Sequence, residues 1–309
     1  MKICFFGVGG VGGYFGTVIA DRFKGQHDIY FVARGEHKKA ILAKGLTLKK
    51  SGGEQIINVS PTLCTDNIDD LPLCDIVFLS VKAYDLPDAA KSINKISDRN
   101  TIILPLLNGV DIYDRIREQL FTGIVLPSCV YIGTHIETAG VIFQKGGSCK
   151  ISIGKDPMFP DFYPESLFSL LRDSDIDFNW DDSIEIAIWS KYMFIAAYGL
   201  VTATYDKTTG EILDSPELSR LTLAIMHEIE KIARRINIPL SSDIVGTSFL
   251  KGKQFPYDTK TSFQRDVESK GRINEIDLFG GTLIRYSEQY DIAVPNIRDV
   301  LDRFIENMK

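Results

Sequence analysis

Short apolar runs alternate with stretches of helical period through the first half of the chain, and long helical periods alone fill the second half. Ile3-Cys4-Phe5-Phe6, Asp28 to Ala33, Asp75 to Val81, Thr101 to Leu106 and Gly123 to Pro127 are apolar at nearly every position, as strands buried on both faces are. Helix-compatible stretches such as Tyr14 to Ala20 separate them. This alternation predicts βαβ units and a parallel sheet. Three later runs, Val130 to Gly133, Val141 to Gln144 and Lys150 to Gly154, are shorter and lie between turn residues such as Thr138-Ala139-Gly140 and Gly146-Gly147. They predict an antiparallel extension of the sheet. No helical pattern follows Gly146-Gly147, which is therefore read as a hairpin turn rather than a phosphate loop.

From about Asp181 the texture changes. Ser215-Pro216-Glu217 is a helix start, with serine as N-cap and proline in the first turn. Leu218, Leu221, Ile225, Ile229, Ile232 and Ile236 then recur at helical spacing. A second helix is expected over Arg272 to Tyr290, burying Ile276, Phe279, Leu283 and Ile284. The expected fold is α/β: a Rossmann-type doubly wound sheet with an antiparallel extension over 1–180, and an all-α domain over 181–309.

The 309 residues are 44% hydrophobic with a formal net charge of −6. A mildly acidic chain lacks the basic face that nucleic acid requires, and the local cluster Lys38, Lys39, Lys44, Lys49, Lys50 reads as solvated surface. Cys4, Cys64, Cys74, Cys129 and Cys149 show no C-x-x-C spacing, and His27, His37, His135 and His227 are scattered. Reduced thiols in a cytoplasmic protein are expected, with no metal. The chain opens on a strand rather than a secretion signal. Its longest apolar stretch, Tyr192 to Ala203, falls short of the ~20 residues of a membrane span.

Gly7-Val8-Gly9-Gly10-Val11-Gly12 reads G-x-G-x-x-G between the first strand and the first helix. That order suits a dinucleotide pyrophosphate. Gly7 permits the tight turn, Gly9 lets backbone approach phosphate, and Gly12 lets helix and strand pack closely. The helix N-terminus adds N–H groups and partial positive charge. After the second strand, where an acid would hold a ribose 2′-hydroxyl, the chain has Arg34. A guanidinium matches a 2′-phosphate, so NADP(H) is expected; nearby Glu36 keeps NAD(H) open.

In open α/β sheets, chemistry lies beyond the carboxyl ends of the strands, where Lys82 and Asn108 fall. A proton source is then expected from the second domain. Glu185 to Phe194 and Thr261 to Asp277 both set polar groups among apolar positions. At these residues the sequence resembles the ketopantoate reductase (2-dehydropantoate 2-reductase) family over nearly its whole length. The resemblance runs through the glycine motif, Arg34-Gly35, Ser80-Val81-Lys82-Ala83, Asn108-Gly109-Val110, Trp189-Ser190-Lys191 and Thr261-Ser262-x-x-x-Asp266. It continues with Gly271-Arg272, Asn274-Glu275-Ile276-Asp277 and Ala293-Val294-Pro295-Asn296. It implies reduction of a 2-oxo acid by NADPH, with Lys191 as proton donor to the carbonyl oxygen. It also implies that Glu275, near both lysine and cofactor, holds Lys191 charged and oriented, Ser262 binds substrate, Asn108 touches nicotinamide and substrate, and Lys82 serves the cofactor. A cation suits this task, because it stabilises the alkoxide that develops as hydride arrives.

The chain departs from the family where asparagines one and two turns after the lysine are replaced by Ile195 and Gly199. Thr209 stands for another asparagine, and Leu107 for a glutamine. Ketopantoate would lose polar partners, so a bulkier or less hydroxylated 2-oxo acid or related ketone is expected as substrate. Two alternatives stay open: a non-catalytic NADP(H)-binding redox sensor, for which a proton donor has no use, and a relative oxidising a secondary alcohol or amine. No nucleic-acid or membrane partner is expected. A homodimer is left open.

Overall fold

Strands that are apolar at every position must be covered on both faces, and the chain supplies that cover in sequence order. The computed structural model describes residues 1–51, 56–269 and 274–309. The chain divides into two units, Met1–Asn108 with Ile112–Ile184, and Gly109–Asp111 with Glu185–Lys309.

The first unit runs β1 (Lys2–Phe6), α1 (Gly10–Arg22), β2 (Asp28–Val32), α2 (Gly35–Lys44), β3 (Leu46–Lys50), β4 (Ile56–Val59) and β5 (Leu63–Thr65). It continues with β6 (Ile76–Leu79), α3 (Leu86–Ile93), β7 (Ile102–Pro105), α4 (Ile112–Arg117), β8 (Ile124–Val125), β9 (Ser128–Tyr131), β10 (Thr134–Thr138), β11 (Val141–Gln144), β12 (Lys150–Ile153), α5 (Glu165–Asp173) and β13 (Phe178–Trp180). A six-stranded sheet in the order β5-β2-β1-β6-β7-β8 is parallel at every pairing. Strand order reverses between β1 and β6, the switch point at which such sheets take ligands. Phe5 stacks on Phe78 at 4.7 Å and meets Phe31 edge-on at 5.8 Å. All three rings are fully buried, which fixes the register of the three central strands.

The antiparallel strands form two further sheets. β10 and β11 make a hairpin in a four-stranded sheet, β10-β11-β3-β4, while β12 lies between β9 and β13 in a three-stranded one. Gly146-Gly147 is a turn with both residues at positive φ, but it links strands of different sheets and closes no hairpin. The reason is β3. Its alternating Leu46-Thr47-Leu48 escapes a search for unbroken apolar runs, yet it captures β11 in parallel.

The second unit contains α6 (Ile184–Tyr205), α7 (Thr209–Asp214), α8 (Pro216–Arg235), α9 (Ile244–Leu250), α10 (Ser262–Glu268), α11 (Thr282–Gln289) and α12 (Pro295–Asn307). Ser215 caps α8 by accepting from the Leu218 N–H at 3.3 Å. The 22-residue α6 is longer than its apolar stretch suggests, and its best window reaches a mean hydropathy of 1.3. It is a core helix by its burial: Trp189, Tyr192, Met193, Ala196, Ala197, Leu200 and Val201 are all enclosed. The helix expected from Arg272 begins, among the described residues, only at Ile276, with a π-helical turn over Asp277–Gly281 before α11. Arg272 and the Gly271-Arg272 pair lie outside the described residues.

Buried Glu228 of α8 explains the late Pro295-Asn296 pair. Its carboxylate accepts from the N–H groups of Asn296 and Ile297, both at 2.9 Å, and from the Asn296 side-chain amide at 2.6 Å. It caps α12 from another helix.

Candidate active site

The glycine loop is shaped by what cannot fit there. Gly7 has φ +96, and a Cβ on it would lie 2.9 Å from the Ser80 backbone. A Cβ on Gly12 would land on the Ser80 hydroxyl and the Gly7 carbonyl. Ser80 locks this contact, donating its hydroxyl to the Gly7 carbonyl at 2.7 Å and its N–H to Phe6 at 2.9 Å. Gly10 instead makes room for β10, whose Thr134 backbone would lie 2.9 Å from its Cβ. Gly9 differs from all of these: nothing lies within 4 Å of where its Cβ would be. Gly9 is also the N-cap of α1 and offers no side-chain cap to the first-turn N–H groups. Val8 is buried and Val11 half-buried, anchoring the loop. These residues fit a dinucleotide pyrophosphate: an anion-binding helix terminus with its approach left clear on one side.

Arg34 is the exposed N-cap of α2, and its guanidinium meets Asp85 at 2.6 Å. Lys82, half-buried, precedes the turn Ala83–Asp85 beyond β6. Half-buried Asn108 ends the first stretch of this unit, and the following Gly109 has φ 130, a turn only glycine enters easily. His37 of α2 accepts from the Gly140 N–H at 3.0 Å. Burial pushes its imidazole below the ordinary value, opposed in part by the Val8 backbone. Neither Asp85 nor His37 carries a motif that sequence could have flagged.

In the helical unit, Lys191 sits on the half-buried face of α6 with Ile188, Phe194 and Ile195. Glu275 is 8% exposed and lies two residues before the π-helical turn. Ser262 is exposed at the first position of α10. The cap of α10 is Thr261, which accepts from the Gln264 N–H at 3.2 Å. The chain neighbours of these three candidates meet in one aromatic cluster. Tyr192 stacks on Phe279 at 6.5 Å, Phe263 packs on Phe279 at 5.2 Å, and the Tyr192 hydroxyl donates to the Leu278 carbonyl at 2.7 Å. The Phe279 N–H closes onto the Glu275 carbonyl at 3.1 Å. One cluster therefore joins the three chain segments that carry Lys191, Ser262 and Glu275. Among the described residues no group of His, Cys, Asp and Glu could hold a metal.

Residues 3–157 match the family model described as "Ketopantoate reductase PanE/ApbA", and residues 183–305 match its C-terminal counterpart. The chain belongs to the ketopantoate reductase family. It is accordingly an oxidoreductase acting on CH–OH groups, with ketopantoate reductase-type activity on 2-oxo acids. Among similar proteins, "Uncharacterized oxidoreductase YkpB" of Bacillus subtilis is 25% identical over 97% of this chain and 96% of its own. A 2-dehydropantoate 2-reductase of Mesorhizobium japonicum is 26% identical over the same shares. The solved 2-dehydropantoate 2-reductase of Porphyromonas gingivalis superposes with a TM-score of 0.82 at 26% identity, covering 99% of each chain. A structure of D-mandelate dehydrogenase with NADH and anilino(oxo)acetate shares the fold, with a TM-score of 0.86 at 18% identity over 99% of this chain and 98% of that one.

Within this ketopantoate reductase fold, the departures noted in the sequence have definite environments. Phe263 lies 3.7 Å from where a Cβ on Gly199 would stand, an ordinary van der Waals contact that a methyl group there would meet. The Thr209 hydroxyl donates to the Thr259 carbonyl at 3.2 Å and serves the loop. Leu107 is buried. Ile195 alone, on the half-buried face with Lys191, keeps partial exposure.

Proposed function

We propose that the chain reduces a 2-oxo acid with NADPH, and that Lys191 gives the proton to the carbonyl oxygen. The observation that carries this is the setting of Lys191, a half-buried lysine in the apolar helix α6, beside half-buried Ile188 and Ile195. An ammonium in partly apolar surroundings attracts a developing alkoxide more strongly than one in water.

The loop from Gly7 to Gly12 (Gly7, Val8, Gly9, Gly10, Val11, Gly12) holds the pyrophosphate in this proposal. Arg34 takes the 2′-phosphate, and Lys82 and Asn108 serve the nicotinamide end. When bound, the nicotinamide supplies hydride to the carbonyl carbon. Buried Glu275 holds Lys191 charged and oriented, and the exposed Ser262 hydroxyl donates to the substrate carboxylate.

We further propose that the substrate is a 2-oxo acid with a less hydroxylated side chain than ketopantoate. Ile195 and the Phe194–Phe255 stack at 5.6 Å offer no hydrogen bond near the lysine, and Thr209 is committed elsewhere. NADPH oxidation measured across a panel of branched, aromatic and hydroxylated 2-oxo acids tests this. Apolar side chains should give the highest kcat/KM; a clear preference for ketopantoate would overturn the substrate proposal and leave the reductase assignment intact.

A further inference from the structure

The acid nearest Arg34 in sequence is not its partner in space. Glu36 turns to Lys39 at 2.7 Å and both are exposed. The carboxylate at the Arg34 guanidinium is Asp85, at 2.6 Å, reached from the turn beyond β6. Arg34 follows β2, and β2 and β6 flank β1 on its two sides. The ion pair therefore bridges the loops on either side of the glycine turn, over the carboxyl end of β1. In a doubly wound sheet the adenosine half of a dinucleotide enters there.

We infer that Asp85, and not Glu36, sets the cofactor preference of this chain, by holding Arg34 and narrowing the advantage of a 2′-phosphate over a 2′-hydroxyl. This rests on the NADPH reading proposed above and deepens it. A 2′-phosphate approaching Arg34 meets the Asp85 carboxylate at the same guanidinium and is repelled by it. A ribose hydroxyl is not repelled, and can donate a hydrogen bond to that carboxylate. Arg34 and Asp85 keep 75% and 33% of their side-chain surface exposed, so the effect is modest and weakens with salt.

The test is direct binding of NADPH and of NADH to the full chain, followed by protein fluorescence, in wild type, Asp85→Asn, Asp85→Ala and Arg34→Gln. Both Asp85 variants should tighten NADPH by about fivefold at low salt, while NADH changes by less than about twofold. The gain should shrink as salt rises. An NADPH:NADH ratio unchanged in both variants overturns the role of Asp85. Arg34→Gln reports on the underlying reading separately. If it leaves the wild-type ratio unaltered, Arg34 is no 2′-phosphate ligand, and the cofactor proposal falls together with this one.

Discussion

The glycine loop of the first unit and the aromatic cluster of the second solve the same problem in opposite ways. Around Gly7 and Gly12 the geometry comes from missing side chains: backbone packs on backbone, with the Ser80 hydroxyl as the pin. Around Lys191 it comes from bulk. Tyr192, Phe263 and Phe279 interlock, with the candidate residues Lys191 and Ser262 on the adjoining chain positions. Backbone packed this closely tolerates no added atom at Gly7, Gly10 or Gly12, whereas a site made from packed rings tolerates changes in the polar groups it carries. On this second kind of scaffold stand Ile195 and Gly199, where the resemblance led us to expect asparagines, while the glycine motif stands intact.

The largest effect should come from Lys191→Ala. Turnover is expected to fall by about 10²–10⁴-fold, the range of a positioned general acid. NADPH affinity should stay within about twofold, since the lysine belongs to the other kind of site. Retained turnover would end its assignment as proton donor.

Two glycine variants then break the first region in different ways. Gly12→Ala forces a methyl onto Ser80 and Gly7 and should lower stability by about 1–3 kcal/mol, read by denaturant titration. Gly9→Ala meets no protein atom within 4 Å. It should leave stability within about 0.5 kcal/mol and weaken dinucleotide binding about tenfold. Equal behaviour of the two variants would mean that Gly9 does not face the pyrophosphate.

Glu228→Ala sharpens the contrast in the helical unit, because it removes three hydrogen bonds to the start of α12. A loss of about 2–4 kcal/mol is expected, with kcat unchanged in the fraction that stays folded.

The smallest effect concerns His37, whose imidazole burial holds below its ordinary value. A base that is harder to protonate when folded contributes fully above its unfolded pKa. It loses that contribution as pH falls through the unfolded value toward the folded one. Wild type should therefore lose stability relative to His37→Gln as pH drops from about 7 to about 5, by less than about 1 kcal/mol. A parallel pH dependence in both proteins would remove His37 as the cause.

Much of the first unit was legible because parallel strands covered on both faces must be apolar throughout, and Ile3–Phe6, Ile76–Leu79 and Ile102–Pro105 are. β3 was not, because Leu46-Thr47-Leu48 alternates, and its place between β4 and β11, the latter nearly 100 residues away, is set by tertiary pairing. In the site, the glycines could be read directly, since turn and close approach are properties of the backbone. Lys191, Ser262 and Glu275 could be found only through their resemblance to a family, because nothing local distinguishes a functional lysine from a solvated one.

The amino-acid sequence by itself determined the strand–glycine–helix unit, the helical character of the second half and the residue types available for chemistry. These follow from local periodicity and from the absence of Cβ atoms. Only the tertiary structure decided that Asp85 rather than Glu36 answers Arg34, that Glu228 caps a helix 67 residues further on, and that Phe263 is the neighbour of Gly199. Each of those outcomes depends on which side chains long-range packing brings within hydrogen-bonding or van der Waals reach, and sequence separation carries no information about that distance.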